Sequence, residues 1–280
     1  MTQEIQFSDI KIPYLSIAEA RQKTGLRLVL GAYPVPGPWR EACKGLFYVK
    51  KIPYASVVTA SAGRSDLEFG AEGADRELLE WTGQSSAPVA IWNDERPRAS
   101  WIDQLNLAER LQPNPPLIPD DVEDRALMFG LCNELAGENG FAWTKRLAII
   151  YRTLAALPAD DPGRGFWQHI GAKYRYTDAD GAAAADRMAR TVRALARQLE
   201  RQYDAGRTYF CGARLSALDI YWATFATMLA PMPPELCPMA TGFRASYSNP
   251  DPEVQTALSP LLLQHRDFIY RSYLELPVVF

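Results

Sequence analysis

Residues 209–229 read YFCGARLSALDIYWATFATML, and the fold turns on this stretch. Ser216 stands three residues before Asp219, the spacing at which a serine and an acid each satisfy a free amide at a helix start. No charged residue follows from Ile220 to Leu229, and a helix that is apolar all round must lie at the centre of a core. Its cap is then buried too, and losing it should cost about 1–2 kcal/mol. The surrounding signals are also helical. DVEDRALMFGLCNELAG (121–137) opens with acids suited to a helix N-terminus, and Met188, Val192, Leu195 and Leu199 form a stripe. Residues 121–280 therefore read as an all-helical domain.

Upstream the pattern changes. LRLVLGAY (26–33) has the density of a buried strand and is broken by PVPGP, whose Pro38 suits the first turn of a helix. Ala42, Leu46 and Val49 then fall at helical spacing, and IPYASVVTA (52–60) reads as a second strand. A helix follows over 74–83. SAPVAIW (86–92), the NDE turn and RPRASW (96–101) read as a hairpin before the helix WIDQLNLAERL (101–111). The order is βαβαββα. QPNPPLIPDD (112–121) carries four prolines, which remove amide donors and force extended backbone, so the junction falls there. The expected divisions are an N-terminal extension over 1–26, an α/β domain over 27–111, a linker over 112–120 and the helical domain over 121–280. Within the extension, SIAEARQKTG (16–25) is a short helix candidate packed on the surface, capped by Ser16 and stopped by Gly25.

With 280 residues and 48% apolar content the chain can bury a large core. Thirty Lys and Arg against 33 Asp and Glu leave no basic field that would favour nucleic acid. Cys43, Cys132, Cys211 and Cys237 show no metal-ligand or CxxC spacing and read as free, mostly buried thiols. His169 and His265, the two histidines, do not make a metal site, so no metal is expected. The N-terminus lacks the pattern of a secretion signal, and no run of about 18 apolar residues suggests a membrane span. The expectation is a cytoplasmic, soluble protein.

Tyr-Phe, a glycine turn and Leu-Ser-x-x-Asp-Ile opening a buried helix, here 209–220, closely resemble the pattern of the glutathione transferase superfamily. The resemblance extends to the βαβαββα order, to KKIPYASV (50–57) entering the second strand, and to Ala87-Pro88-Val89 where the family carries a cis-proline. It implies a thioredoxin-like domain (βαβαββα) followed by an all-α helical bundle, with glutathione as co-substrate and a homodimeric assembly. A cis X-Pro bond lets the preceding residue pair, strand-fashion, with an extended peptide; by resemblance that peptide is glutathione and the pairing residue Ala87. The family also holds the γ-glutamyl end with an acid-serine pair at a helix start, and counting back from LAERL places Asp103-Gln104 there.

Catalysis in the family needs a group that stabilises the glutathione thiolate. Where the family carries Ser or Cys, counting back from Lys51 gives Gly37, which has neither hydroxyl nor thiol. The alternative family position, a tyrosine ending the first strand, gives Tyr33, expected to hydrogen-bond the thiolate with help from the positive helix end near Pro38. Arg40 could face a glutathione carboxylate or an acidic neighbour. Met128, Phe129, Cys132 and Asn133, on the inner face of a helix over 121–145, are candidates for an acceptor pocket. The implied function is transfer of the glutathione thiolate to an electrophilic, largely apolar small molecule, as in detoxification. The alternative is a non-catalytic ligand-binding or protein-interaction module of the same fold. A disulfide oxidoreductase is disfavoured because no cysteine falls at the helix start.

Overall fold

The computed structural model describes residues 13–31, 37–58, 76–239, 244–245, 247 and 251–278; Tyr33 lies outside the described residues. The chain divides into two compact units. One comprises Met1–Ile118, Pro231–Ala245 and Asp267–Phe280, and the other Pro119–Ala230 and Ser246–Arg266.

In the first unit α1 (Ile17–Arg21) precedes β1 (Leu26–Val29), whose four residues are all buried. α2 (Pro38–Val49), β2 (Tyr54–Val57), α3 (Arg76–Thr82), β3 (Val89–Trp92) and α4 (Trp101–Leu111) follow. The sheet order is β2-β1-β3. β2 runs parallel to β1, with Val57 beside Val29, and β3 antiparallel to it, with Val89 beside Val29. This is the expected α/β arrangement with one strand trimmed. The second arm of the hairpin is a single bridge between Ala90 and Arg98. Pro97 lacks an amide donor, and Ser100 already caps α4.

The N-terminal segment departs further from expectation. Leu15 pairs with the edge of β2, its amide donating to Ser56 O (2.9 Å) and its carbonyl accepting from Val58 N (2.9 Å). Ser16 and Glu19 close a capping box on α1, and Ile17 and Ala20 are buried with Val29, Val57, Leu78, Val89 and Ile91. Ile17 and Ala20 are thus part of the core, and residues 13–21 cover an open strand edge and an apolar sheet face.

Behind α2, Lys50 is 2% exposed. Its Nζ donates to Gln112 O (2.7 Å) and Pro115 O (2.8 Å) and pairs with Glu109 (2.9 Å). The charge is buried but fully engaged, and it fastens the start of the proline-rich linker to α2 and α4.

The second unit is helical: α5 (Val122–Ala136), α6 (Phe141–Ala156), α7 (Arg164–Lys173), α8 (Asp178–Ala182), α9 (Ala184–Asp204), α10 (Ala217–Phe225) and α11 (Pro252–Ala257). α12 (Pro260–Tyr273) follows in the chain. The single helix expected over 121–145 is broken between α5 and α6. A Cβ on Gly140 would lie 2.8 Å from both Asn133 O and Glu134 O, so the terminal carbonyls of α5 converge where only glycine fits, and Asn139 takes a φ of 61°. Met128 and Cys132 are fully buried within this unit.

All nine residues of α10 are buried. Asp219 Oδ2 accepts from Ser216 N and Ser216 Oγ (2.8 Å each), and Oδ1 accepts from Phe210 N (3.0 Å) and meets His265 Nε2 at 2.8 Å. Trp222 Nε1 donates to Leu262 O at 2.9 Å. One carboxylate therefore ties the turn before α10, its cap and α12 together.

Candidate functional site

Gly37 is the N-cap of α2, with Pro38 in the first turn. Gly37 has φ −78°, which any residue can adopt, so the backbone does not require glycine. Space does. A Cβ there would lie 2.3 Å from Arg40 Nε and 2.6 Å from Nη2. The Arg40 side chain curls back beneath the helix start, and its Nη1 donates to Leu30 O (3.1 Å) and Gly31 O (2.7 Å). Arg40 is 7% exposed, so a cation is held beside the N-terminal amides of α2, where helix polarity already favours an anion. A guanidinium stands where a serine or cysteine side chain would begin.

One turn on, Glu41 and Lys44 are buried and paired at 3.3 Å, and Lys44 also meets Glu275 at 3.2 Å. Burial raises the Glu41 carboxyl above its ordinary range, with Lys44 opposing the shift. The phenolic oxygen of Tyr14 is buried without a hydrogen-bond partner among the described residues. Burial pushes its titration up, against the lowering effect of Arg40.

The Ala87–Pro88 bond is cis, and it leads directly into β3. Behind it lies Gln104, 2% exposed, whose Nε2 reaches Pro88 O (3.2 Å), Arg98 O (3.3 Å) and Ala99 O (3.4 Å). Gln104 thus supports the proline loop from inside. Its amide is spent on three carbonyls, so Gln104→Leu should cost about 1–3 kcal/mol by leaving buried acceptors unpaired. A thermal melt lowered by several degrees checks this. Asp103 is held by Arg96 at 3.2 Å, and that hydrogen bond lowers its pKa below the usual aspartate value.

α4 spans Trp101–Leu111, as the sequence suggests, but the Asp103-Gln104 pair expected at its start lies inside it. Ser100 is the N-cap of α4 and its Oγ accepts from Asp103 N at 3.1 Å, which puts Asp103-Gln104 a turn inside the helix and Ala99-Ser100 at its mouth. The Ser-x-x-Asp spacing of 100 and 103 was the available signal, the same one that marks 216 and 219. Gly37, Arg40, Ala87, Pro88, Ser100 and Gln104 all belong to the first unit.

Residues 179–252 match the family model for the glutathione S-transferase C-terminal domain. Among solved structures, the chain is similar to a glutathione S-transferase from Methylobacillus flagellatus with glutathione bound. That match has 14% identity and a TM-score of 0.58, covering 88% of this chain and 95% of that one. It is also similar to a glutathione S-transferase from Methylobacterium radiotolerans in complex with glutathione sulfonate (17%, 0.57, 89% and 92%). A third is a beta-etherase from a Sphingobium species (16%, 0.55, 88% and 100%). No curated protein matches the sequence. No described helix is long and apolar enough to cross a membrane, and no metal-holding group of His, Cys, Asp and Glu occurs among the described residues. Residues 179–252 thus carry the sequence pattern of the glutathione S-transferase C-terminal domain, and the chain has the glutathione transferase fold.

Proposed function

We propose that the protein binds glutathione at the start of α2 and adds its thiolate to an electrophilic, largely apolar small molecule. The observation that carries the reading is the cis Ala87–Pro88 bond leading into β3, in the unit that also holds the Arg40 guanidinium against Leu30 O and Gly31 O beside the start of α2. In this reading Ala87 pairs with the extended cysteinyl backbone of glutathione, and Ser100 with the amides of α4 takes the γ-glutamyl carboxylate. Gln104 and Asp103 position the loop and helix that do so. Arg40 and the α2 amides stabilise the thiolate, with the Tyr33 hydroxyl as its hydrogen-bond donor. Neither group becomes covalently bound, and glutathione itself is the nucleophile. The solved relatives crystallised with glutathione or its sulfonate support this choice of co-substrate, and a homodimer is the assembly proposed with it.

A non-catalytic module of the same fold is favoured by one specific fact. Gly37 brings no hydroxyl or thiol, and Arg40 fills its place.

Calorimetric titration of glutathione, read together with the ultraviolet absorbance of its thiolate at neutral pH, separates the two. Wild type should bind saturably with a thiolate signal. Arg40→Ala should weaken binding about tenfold or more, the loss of a charge-assisted contact, and Tyr33→Phe should lose the thiolate signal while binding persists. Absence of binding to wild type at millimolar glutathione would sink the transferase reading. Binding without any thiolate signal favours the non-catalytic module.

A further inference from the structure

A cavity in the first unit lies at the end of α2 opposite Gly37 and measures about 530 Å³, within the roughly 300–1,000 Å³ typical of small-molecule sites. Three tyrosines from three elements surround it: Tyr48 from the last turn of α2, Tyr54 from the start of β2 and Tyr273 from the end of α12. Ile52 contributes an apolar wall. With α2 rising about 1.5 Å per residue over its twelve residues, the cavity is about 16 Å from Gly37 along the helix. It is separate from the glutathione site proposed above.

The lining specifies the ligand. Tyrosine rings offer flat faces and edges that favour an aromatic partner in offset or edge contact, and the ring of Tyr273 is set in place by edge contact with Phe268 at 6.0 Å. The Tyr54 phenol is pushed up in pKa, mainly by burial, and so remains a hydrogen-bond donor. The carboxylates whose charge reaches Tyr54, Glu41 and Glu275, are both held by Lys44. Among the described residues lining the cavity, Lys51 alone is charged, and its φ of 55° fixes where the chain turns out of α2. The geometry points to a flat aromatic molecule bearing one carboxylate or sulfonate; we propose this cavity as its binding site.

The test is calorimetry with 2-naphthoate and with the neutral 2-naphthol, run with glutathione present and again without it, so that failure of the glutathione reading leaves this result intact. Wild type should bind one equivalent of 2-naphthoate under both conditions. Lys51→Met should weaken 2-naphthoate about fivefold, as expected for one solvent-accessible ion contact, and leave 2-naphthol unchanged. Val49→Trp, which fills the cavity from α2, should abolish binding of both. Should that variant fail to fold by circular dichroism, Ser272→Trp fills the cavity from the opposite wall. No binding of 2-naphthoate to wild type, or binding that survives a folded cavity-filling variant, overturns the site. Equal losses of both probes in Lys51→Met overturn the assignment of an anion.

Discussion

Asp219→Ala should unfold or nearly unfold the helical unit, lowering stability by about 3–5 kcal/mol, the usual result of removing one partner from a buried charged network. The carboxylate is fully buried and receives Phe210 N, Ser216 N, Ser216 Oγ and His265 Nε2. An alanine leaves all four polar groups dry. A drop of that size removes a large share of the roughly 5–15 kcal/mol by which domains are stable. In urea denaturation followed by circular dichroism the midpoint should fall sharply or the variant should be insoluble. Ser216→Ala, which removes one hydroxyl and keeps the rest, should cost only about 1 kcal/mol. If the two variants were equally mild, the carboxylate would not be the organising group and α10 would hold by apolar packing alone.

Lys145→Met should have the opposite sign. Lys145 on α6 is fully buried, and its Nζ has no hydrogen-bond partner among the described residues. Burial, and after it the nearby Arg152, lower its pKa to about 8; Asp251 opposes the shift, and Arg146 adds a smaller lowering. Asp251 makes no hydrogen bond to it: Oδ1 is bound to Arg152 at 2.6 Å, and Oδ2 is buried without a hydrogen-bond partner among the described residues. The folded pKa lies below the unfolded value of about 10.4. Between those pH values the unfolded chain binds more protons, so stability rises with pH across that window. Below about pH 8 the penalty is complete, amounting to about 3 kcal/mol at most. An apolar methionine of similar length removes it, so Lys145→Met should be more stable than wild type at pH 7. The advantage should shrink toward zero near pH 10.5. Paired urea titrations at the two pH values measure this directly, and a variant weaker than wild type at pH 7 would show that the amine is not strained.

The candidate site illustrates how far residue spacing reaches. Gly37 was legible as a helix start lacking a nucleophile, since proline and helical periodicity are local signals. What fills the gap was not legible. Arg40 is three residues away on the helix, and whether it pointed outward or folded back under β1 depended on the Leu30 and Gly31 carbonyls, which only the packed sheet puts within reach. The same applies to Gln104. The resemblance implies a ligand-facing place for it at the helix start, whereas Ser100 is the N-cap of α4 and the glutamine turns inward to Pro88 O. The Ser-x-x-Asp spacing at 100 and 103 marks the cap locally, but which way the Gln104 side chain turns depends on carbonyls of the proline loop and the bridge segment.

The sequence by itself determined the two architectures and the buried centre of the second, because strand alternation, helical periodicity, proline-rich breaks and the Ser216–Asp219 cap are short-range properties of the chain. Tertiary structure alone decided the long-range matters. It put residues 13–21 against the edge of β2 and the buried sheet face. It gave Asp219 a partner forty-six residues away in His265 and left Lys145 without a hydrogen-bond partner among the described residues. It also grouped residues 267–280 with the α/β unit, where Glu275 meets Lys44. Those outcomes depend on which surfaces the compact chain brings together and on how each buried charge is matched there, and no local pattern records either.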